Sequence, residues 1–200
     1  MSSEVKTNKI SPATGTAFTL GDSGDTFTVP SGVTITNSGT ATGFGGNNTP
    51  AFHAYRSSGS QSIAHDTKTK LEINAEWFDT DGAYDHTTNY RFTVPSGEGG
   101  KYFFFVGVHA DCETNGALAT FSAELYVNGS TKSLHDTGNN SGYIRKATHA
   151  FSTILTLSAS DYVEVYFIGT KSSSTGTNFN IVGSNTYDQT WFGGYKMIGL

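Results

Sequence analysis

Apolar and polar positions alternate along most of the chain after Ala51, in short segments separated by turn-forming residues. Side chains two residues apart lie on the same face of a strand, so this alternation is typical of β-structure. No segment shows sustained helical periodicity. Many short strands without intervening helices predict a sandwich or a barrel. The pattern places these strands at 51–55, 71–74, 90–94, 101–108, 121–127, 154–158, 161–168 and 190–198.

The segment 101–108 is apolar on both faces, which is typical of a strand that is buried on both sides. Tyr102 and Phe104 share one face with two valines, whereas Phe103 and Phe105 share the other. One face can fill the interior of a sandwich. An exposed aromatic row would promote aggregation, so the second face needs a cover. A three-fold interface between copies of the chain would supply it.

Two short motifs predict turns. Asn128-Gly129 follows the alternating segment 121–127 and is a strong hairpin signal. Asp79-Thr80-Asp81-Gly82 is similar to the start of a calcium-binding loop, but the twelfth position of that loop is Tyr90, which cannot supply the bidentate carboxylate. We therefore favour an Asx turn between strands at Asp79.

The N-terminal part of the chain has a different pattern. Between residues 10 and 52 the only charged side chains are Asp22 and Asp25. If this segment forms a β-ribbon, a single copy buries too little apolar area to offset a backbone ordering cost of about 1–2 kcal/mol per residue. Three copies around an axis could bury it, as could stacked coils of a β-solenoid, and a disordered linker is the remaining alternative. We expect a trimer-dependent β-rich stalk, because the apolar residues recur in pairs: Phe27 with Val29, and Val33 with Ile35.

The turn-forming sequences Pro30-Ser31-Gly32 and Gly43–Pro50 punctuate this part of the chain. We interpret the first as a turn within the stalk and the second as the hinge before the head. The sequence thus predicts an N-terminal anchoring segment over 1–20, a Gly/Thr-rich β stalk and hinge over 21–49, and a globular head over 50–200.

Charge and composition narrow the range of partners. The chain has 12 basic and 17 acidic residues, so it offers no basic stripe for phosphates, and we expect no nucleic-acid partner. No apolar run approaches the roughly 18 residues of a membrane helix, so we expect no membrane insertion. The first nine residues lack the apolar region of a signal peptide, which predicts assembly in a cytoplasm without secretion.

An ordered set of elements in the head resembles the complement-type globular head, a family with the tumour-necrosis-factor-like jelly roll. The Gly-x-Tyr-x-Phe element is carried by Gly100, Tyr102 and Phe104. This resemblance implies an all-β jelly-roll sandwich that assembles as a homotrimer. The chain departs from vertebrate members because it has neither a signal peptide nor a collagen-like Gly-X-Y stalk. The matching segments are 51–55, 78–85, 90–95, 100–105, 125–129, 161–165 and 191–195.

The stalk segments Val5–Pro12 and Leu20–Asp25 are similar to those of bacteriophage appendage proteins. This resemblance implies a virion structural protein, such as a fibre or knob, whose N-terminal segment binds other virion proteins. Its head would attach to a host-surface glycan or protein. The alternative is a capsid decoration or tail adaptor that binds no ligand. A polysaccharide-degrading enzyme would need convergent carboxylates, and the acidic residues of this chain are dispersed.

Catalytic and metal chemistry find little support. Gly21–Asp25 is similar to the nucleophile loop of serine proteases, but the first histidine is His53, so we interpret it as a turn. His109 and Cys112 lack the further ligands of a zinc site, because the chain has one cysteine. The sequence therefore predicts a non-enzymatic protein without a cofactor or metal.

Two groups of candidate residues follow. The loops 136–143 and 171–177 are rich in hydroxyl and amide groups, and nearby aromatic rings suit the C–H face of a sugar. The candidate ligand-binding residues are Asn139, Tyr143, Arg145 and Ser173. The candidate residues of the core or trimer interface are Phe27, Val29, Val33, Ile35, Tyr102, Phe104, Trp191 and Tyr195.

Overall fold

A computed structural model of the chain describes residues 10–12, 14–36, 38, 47–113, 118–138, 144–172 and 178–198. The chain divides into two compact units, Met1–Thr42 and Gly43–Leu200. The finer boundaries expected at residues 20 and 49 stay predictions.

The described part of the second unit consists of strands and turns, without a helix. Nowhere in the described ranges is there a helix with the length and apolar character needed to cross a membrane. The thirteen strands of these ranges are β1 Ala51–Tyr55, β2 Gly59–Ala64, β3 Thr69–Lys70, β4 Ala75–Asp79, β5 Tyr84–Asp85, β6 Arg91–Thr93, β7 Gly100–Asp111, β8 Leu118–Val127, β9 Ser130–Gly138, β10 Lys146–Leu157, β11 Tyr162–Lys171, β12 Asn178–Gly183 and β13 Trp191–Lys196.

The strands form two antiparallel sheets. The first sheet has the order β2-β12-β7-β13-β1-β4. β12 and β13 pair with successive parts of one edge of β7, and β10 pairs with its opposite edge along the whole strand. The second sheet has the order β5-β6-β11-β8-β9, and β3 also pairs with β11. Strands distant in sequence are neighbours in both sheets, as in a sandwich whose connections cross between layers. The all-β sandwich expected from the alternating pattern is confirmed.

The core lies between the sheets and is aromatic at its centre. Phe104 on β7 is fully buried, as is Tyr102 on the same face. Phe52 on β1 stacks on Phe92 of the second sheet, with ring centroids 4.9 Å apart, and on Tyr84 at 5.1 Å. These contacts join the two sheets, because Phe52 comes from one and Phe92 from the other. Aromatic pairs of this kind add about 0.5–1.5 kcal/mol each beyond the area they bury.

The hairpin expected at Asn128-Gly129 is confirmed. Val127 pairs with Ser130, and both central residues have positive φ, 51° at Asn128 and 77° at Gly129. This is the backbone that a two-residue hairpin of type I′ requires. The Asn128 amide also donates to Asp161 Oδ1 at 2.7 Å, which ties the turn to the start of β11.

The turn expected at Asp79 is also confirmed. The Asp81 N–H donates to Asp79 Oδ1 at 3.2 Å, which closes an Asx turn. The second oxygen of Asp79 accepts the Tyr84 N–H at 2.7 Å. Both carboxylate oxygens are thus occupied by backbone donors.

The strand expected at residues 71–74 is wrong, although its alternation is real. Leu71 and Ile73 are each 1% exposed, yet the segment joins no ladder. It crosses from β3 in the second sheet to β4 in the first, and the Leu71 N–H donates to the Val165 carbonyl at 2.8 Å. A crossing segment that buries every second side chain has the same sequence pattern as a strand.

The described residues of the first unit contain turns and no strand. The turn expected within Gly21–Asp25 is present, since the Asp25 N–H donates to the Asp22 carbonyl at 3.0 Å. A second turn is closed by the Val33 N–H and the Pro30 carbonyl at 3.2 Å, as the Pro-Ser-Gly sequence predicts. Residues 10–12, 14–36 and 38 thus form no strand within one chain, and the trimer-dependent β-rich stalk stays a prediction.

Replacing Phe104 with alanine should test the aromatic core. The substitution removes a fully buried ring, so we expect it to lower the free energy of unfolding by about 3–5 kcal/mol in urea denaturation at a fixed protein concentration. Tyr187→Ala is the matched control, because that ring is 62% exposed, and it should change stability by less than about 0.5 kcal/mol. Equal losses in the two variants would contradict the assignment of the core.

Candidate functional site

The face of the first sheet that is turned away from the core carries aromatic side chains across four strands, β4, β1, β13 and β7. On β7 these are Phe103 and Phe105, which alternate with the buried residues and are themselves half-buried. Trp77 and Phe78 on β4 are each 49% exposed. We call this surface the outer aromatic face; it comprises Tyr55, Trp77, Phe78, Phe103, Phe105, Ile154, Trp191 and Tyr195.

Two glycines allow large rings to lie over the sheet. Trp191 on β13 pairs with Gly107 on β7, and a Cβ at Gly107 would lie 2.1 Å from the indole ring. Phe105 pairs with Gly193, where a Cβ would lie 2.2 Å from the phenyl ring. Each ring thus covers the backbone of the neighbouring strand, as in other glycine–aromatic pairs across strands. The result is a flat aromatic surface.

A β-bulge places two further aromatic residues on this face. The register of β1 and β4 shifts between His53 and Ala54, so consecutive residues Trp77 and Phe78 are both exposed. Trp77 stacks on Tyr55 with centroids 4.5 Å apart, and its indole N–H donates to Asp188 Oδ1 at 2.8 Å. The exposed indole is therefore held in one orientation.

The outer aromatic face is suited to binding a second protein surface. Large apolar patches on a soluble chain mark interfaces, and rings held by stacking and hydrogen bonds lose little entropy on association. Among residues 47–113, 118–138, 144–172 and 178–198, no group of three or more His, Cys, Asp or Glu side chains is placed to hold a metal ion. The apolar character of the face thus fits association with another surface.

The structure separates the eight residues predicted for the core or interface. Tyr102 and Phe104 belong to the core, where both are fully buried. Trp191 and Tyr195 belong to the outer aromatic face. The other four lie in the N-terminal unit, where Val29 is half-buried and Phe27, Val33 and Ile35 are 70%, 59% and 52% exposed.

Of the predicted ligand-binding residues, Asn139, Tyr143 and Ser173 lie outside the described residues. Arg145 binds Asp111 through two hydrogen bonds, Nε to Oδ1 at 2.9 Å and Nη2 to Oδ2 at 3.1 Å. Burial alone would raise the pKa of Asp111, but the hydrogen bonds from Arg145 and from backbone hold it below its ordinary value. Arg145 therefore also anchors the start of β10 to the end of β7.

The sequence pattern did not predict two buried glutamates on the opposite side of the sandwich. Glu124 is 1% exposed and lies 2.9 Å from Lys68 Nζ, while Glu164 is 5% exposed and lies 3.1 Å from Lys70 Nζ. The hydrogen bond to Glu124 raises the pKa of Lys68. These ion pairs fix the segment 65–70 across the second sheet. Their partners are 56 and 94 positions apart in the chain, so no local sequence pattern predicts them.

No family model and no curated protein matches this sequence. Several solved structures are similar in fold. Eiger TNF from S. frugiperda superposes with a TM-score of 0.50 at 13% identity, covering 74% of this chain and 91% of that chain. The globular domain of zebrafish complement 1qA protein gives 0.49 at 15% identity, with 74% and 98% covered. Murine APRIL gives 0.48 at 12% identity, with 74% and 98% covered.

The fold is a TNF-like jelly roll. At 13% identity the likeness to Eiger TNF establishes the architecture alone, and function has to be argued from the surfaces of this chain. The jelly roll expected from the ordered sequence elements is confirmed. On this fold the outer aromatic face is the exposed side of the sheet that contains β7.

Gly107→Ala should test the packing of the outer aromatic face. The new methyl group would overlap the Trp191 ring, so we expect a loss of about 1–3 kcal/mol in stability and a shift in Trp191 emission, read in a Trp77→Phe background. Gly138→Ala is the matched control, because a Cβ there meets nothing within 4 Å. Unchanged emission and stability in Gly107→Ala would contradict the described position of the indole.

Proposed function

We propose that three copies of this chain associate through the outer aromatic face, forming the binding head of a bacteriophage virion appendage. The observation that carries the proposal is the aromatic row of β4, β7 and β13, which is exposed on β4 and half-buried on β7 and β13, so that one chain leaves it partly in contact with water. A trimer is the assembly that the resemblance to complement-type heads implies. The chain acts as a binding module in this proposal and not as an enzyme.

A closed ring explains how the face can be covered without open-ended aggregation. In a three-fold assembly the contact is heterologous, so the outer aromatic face of one copy meets a different surface of the next. The rotation closes after three copies, and every face is then covered. Both faces of β7 would then be buried, one in the core of the sandwich and one against the neighbouring copy.

The N-terminal unit fits the same assembly. Phe27, Val33 and Ile35 are more than half exposed in one chain, and three copies would give them apolar partners. The turns at Asp22–Asp25 and Pro30–Val33 would separate the successive apolar pairs of such a stalk. We propose that segment 1–20 then binds other virion proteins.

We place recognition of a host-surface glycan or protein on the predicted segments 136–143 and 171–177, which run on from the last residues of β9, ending at Gly138, and of β11, ending at Lys171, with Asn139, Tyr143, Arg145 and Ser173 as contacts. The support is their hydroxyl- and amide-rich sequence together with the 44% side-chain exposure of Arg145. Loops carried by a rigid sandwich are common sites of recognition.

Phe103→Glu should dissociate the trimer. It places a carboxylate near the middle of the outer aromatic face, where burial against a partner would cost several kcal/mol. Light scattering after size-exclusion chromatography should give three chain masses for the native protein and one for the variant. Ile168→Glu, a matched change on the outer side of the second sheet, should remain trimeric. A Phe103→Glu trimer would contradict the assigned interface.

Antibodies against the purified native chain should label phage particles if the virion assignment is right. The purified chain should also reduce adsorption of those particles to host cells in a competition assay, because free heads would occupy the receptor. Labelling without competition would favour the decoration or adaptor role. An absence of labelled particles would overturn the virion proposal.

A further inference from the structure

The two sheets meet along one side of the sandwich at β9 and β10. In the described residues β9 pairs only with β8, and β10 pairs only with β7. Side chains therefore form the contact across this side, without a backbone ladder. We call this contact the histidine seam; it comprises Ser133, His135 and Thr137 on β9, and His149 and Phe151 on β10.

The two histidines are held in defined positions. The His135 ring stacks on Phe151 with centroids 4.0 Å apart and planes 17° apart. His149 Nδ1 lies 2.6 Å from Thr137 Oγ1, so one hydrogen bond crosses from β10 to β9. The centroids of the His135 and His149 rings are 5.9 Å apart. The two imidazoles thus supply the ring stacking and the hydrogen bond between β9 and β10 at this seam.

The neighbouring strands give the seam no direct counter-charge. On β9, Asp136 points to the opposite face and accepts a hydrogen bond from Ser122, and Lys132 is exposed. On β8, Glu124 faces the other side and binds Lys68. On β10, Lys146 lies three residues before His149 on the opposite face of the strand, where it pairs with Asp111.

On β7, the strand paired with β10, His109 hydrogen-bonds Thr148 on the outer face of the first sheet. Among the described residues, no carboxylate therefore accepts a hydrogen bond from His135 or His149. Within the part of the chain that the structure describes, their polar partners are the hydroxyls of Ser133 and Thr137.

The charged form of His149 is disfavoured. Burial lowers its pKa, the neighbouring His135 lowers it further, and Asp136 opposes both effects from the outer face. A hydroxyl can donate to a neutral imidazole or accept from a charged one, so the hydrogen bonds survive protonation. Protonation instead adds repulsion between two cationic rings whose centroids are 5.9 Å apart, together with the cost of burying their charge.

We propose that the histidine seam is an acid-sensitive latch: neutral His135 and His149 hold β9 against β10, and their protonation releases β9 while the rest of the sandwich stays folded. β9 is the terminal strand of its sheet, so its release disturbs one ladder only. Release uncovers Phe121 and Phe151, which gives the head a new apolar surface at acid pH. The latch operates within one chain and does not depend on the trimer.

The direction of the pH dependence follows from proton linkage. His149 has a lower pKa in the closed seam than in an open one, so the open form binds more protons below the ordinary histidine value of 6.5. Closure is fully favoured above that pH and weakens as the pH falls below it. At pH 5.5, complete exclusion of the His149 proton from the closed seam would raise the opening equilibrium about tenfold, which is the upper limit for this one group.

Hydrogen–deuterium exchange of the full native chain tests the latch at pH 7.5 and 5.5, with labelling times scaled for the intrinsic exchange rate. Peptides from β9 should open more at pH 5.5, by up to about tenfold, while β11 stays unchanged. In the His135→Gln/His149→Asn variant, which keeps the hydrogen-bonding nitrogens without titrating, β9 should not respond. His86→Gln is the control and should respond as the native chain does.

Equal β9 protection at both pH values in the native chain would overturn the proposal. So would an equal response in the double variant, or a loss of β11 protection together with β9. If the double variant does not fold, an NMR titration of the native chain decides. The β9 amide shifts should then follow the ring titration of His135 and His149, and independent midpoints would overturn the latch.

Discussion

Strand β7 carries large aromatic side chains on both of its faces, but only one of these faces can pack into the core of the sandwich. Tyr102 and Phe104 fill the centre of the core, where they meet rings from the second sheet. Phe105 and Phe103 remain on the outer aromatic face, where Phe105 lies over Gly193 of β13 and Phe103 lies beside Tyr195. Covering the second face would remove this apolar area from water at about 25 cal/mol per Å². That requirement connects the fold of one chain to the assembly of several.

Local patterns revealed much of this fold in advance. The double-sided character of β7, the Asn128-Gly129 hairpin and the Asp79 turn depend on neighbouring residues, and all three are present. Strands β2 and β12 were missed because serine, glycine and asparagine interrupt their apolar residues. Gln61 and Ile63 nevertheless face the interior, as do Phe179 and Ile181. Residues 71–74 alternate as a strand does but cross between the sheets.

The remaining features depend on pairs of residues far apart in the chain. Trp191 could be predicted to pack, but its position over Gly107 follows from the register of β13 and β7. Lys68 reaches Glu124 across 56 positions, and His135 meets Phe151 where two sheets end together. Sequence periodicity reports which face a residue occupies but carries no information about its partner on another strand. The sequence thus predicted that the candidate interface would be aromatic, but it did not predict which rings and glycines meet across the strands.

Sedimentation equilibrium of the native chain, from micromolar to nanomolar concentration, tests the central claim most directly. The account predicts a trimer at micromolar concentration whose dissociation on dilution exposes Trp77 and Trp191 to an aqueous quencher. A chain that stays monomeric and folded at every concentration, with constant quenching of both indoles, would contradict it. The outer aromatic face would then be stable in water without a partner.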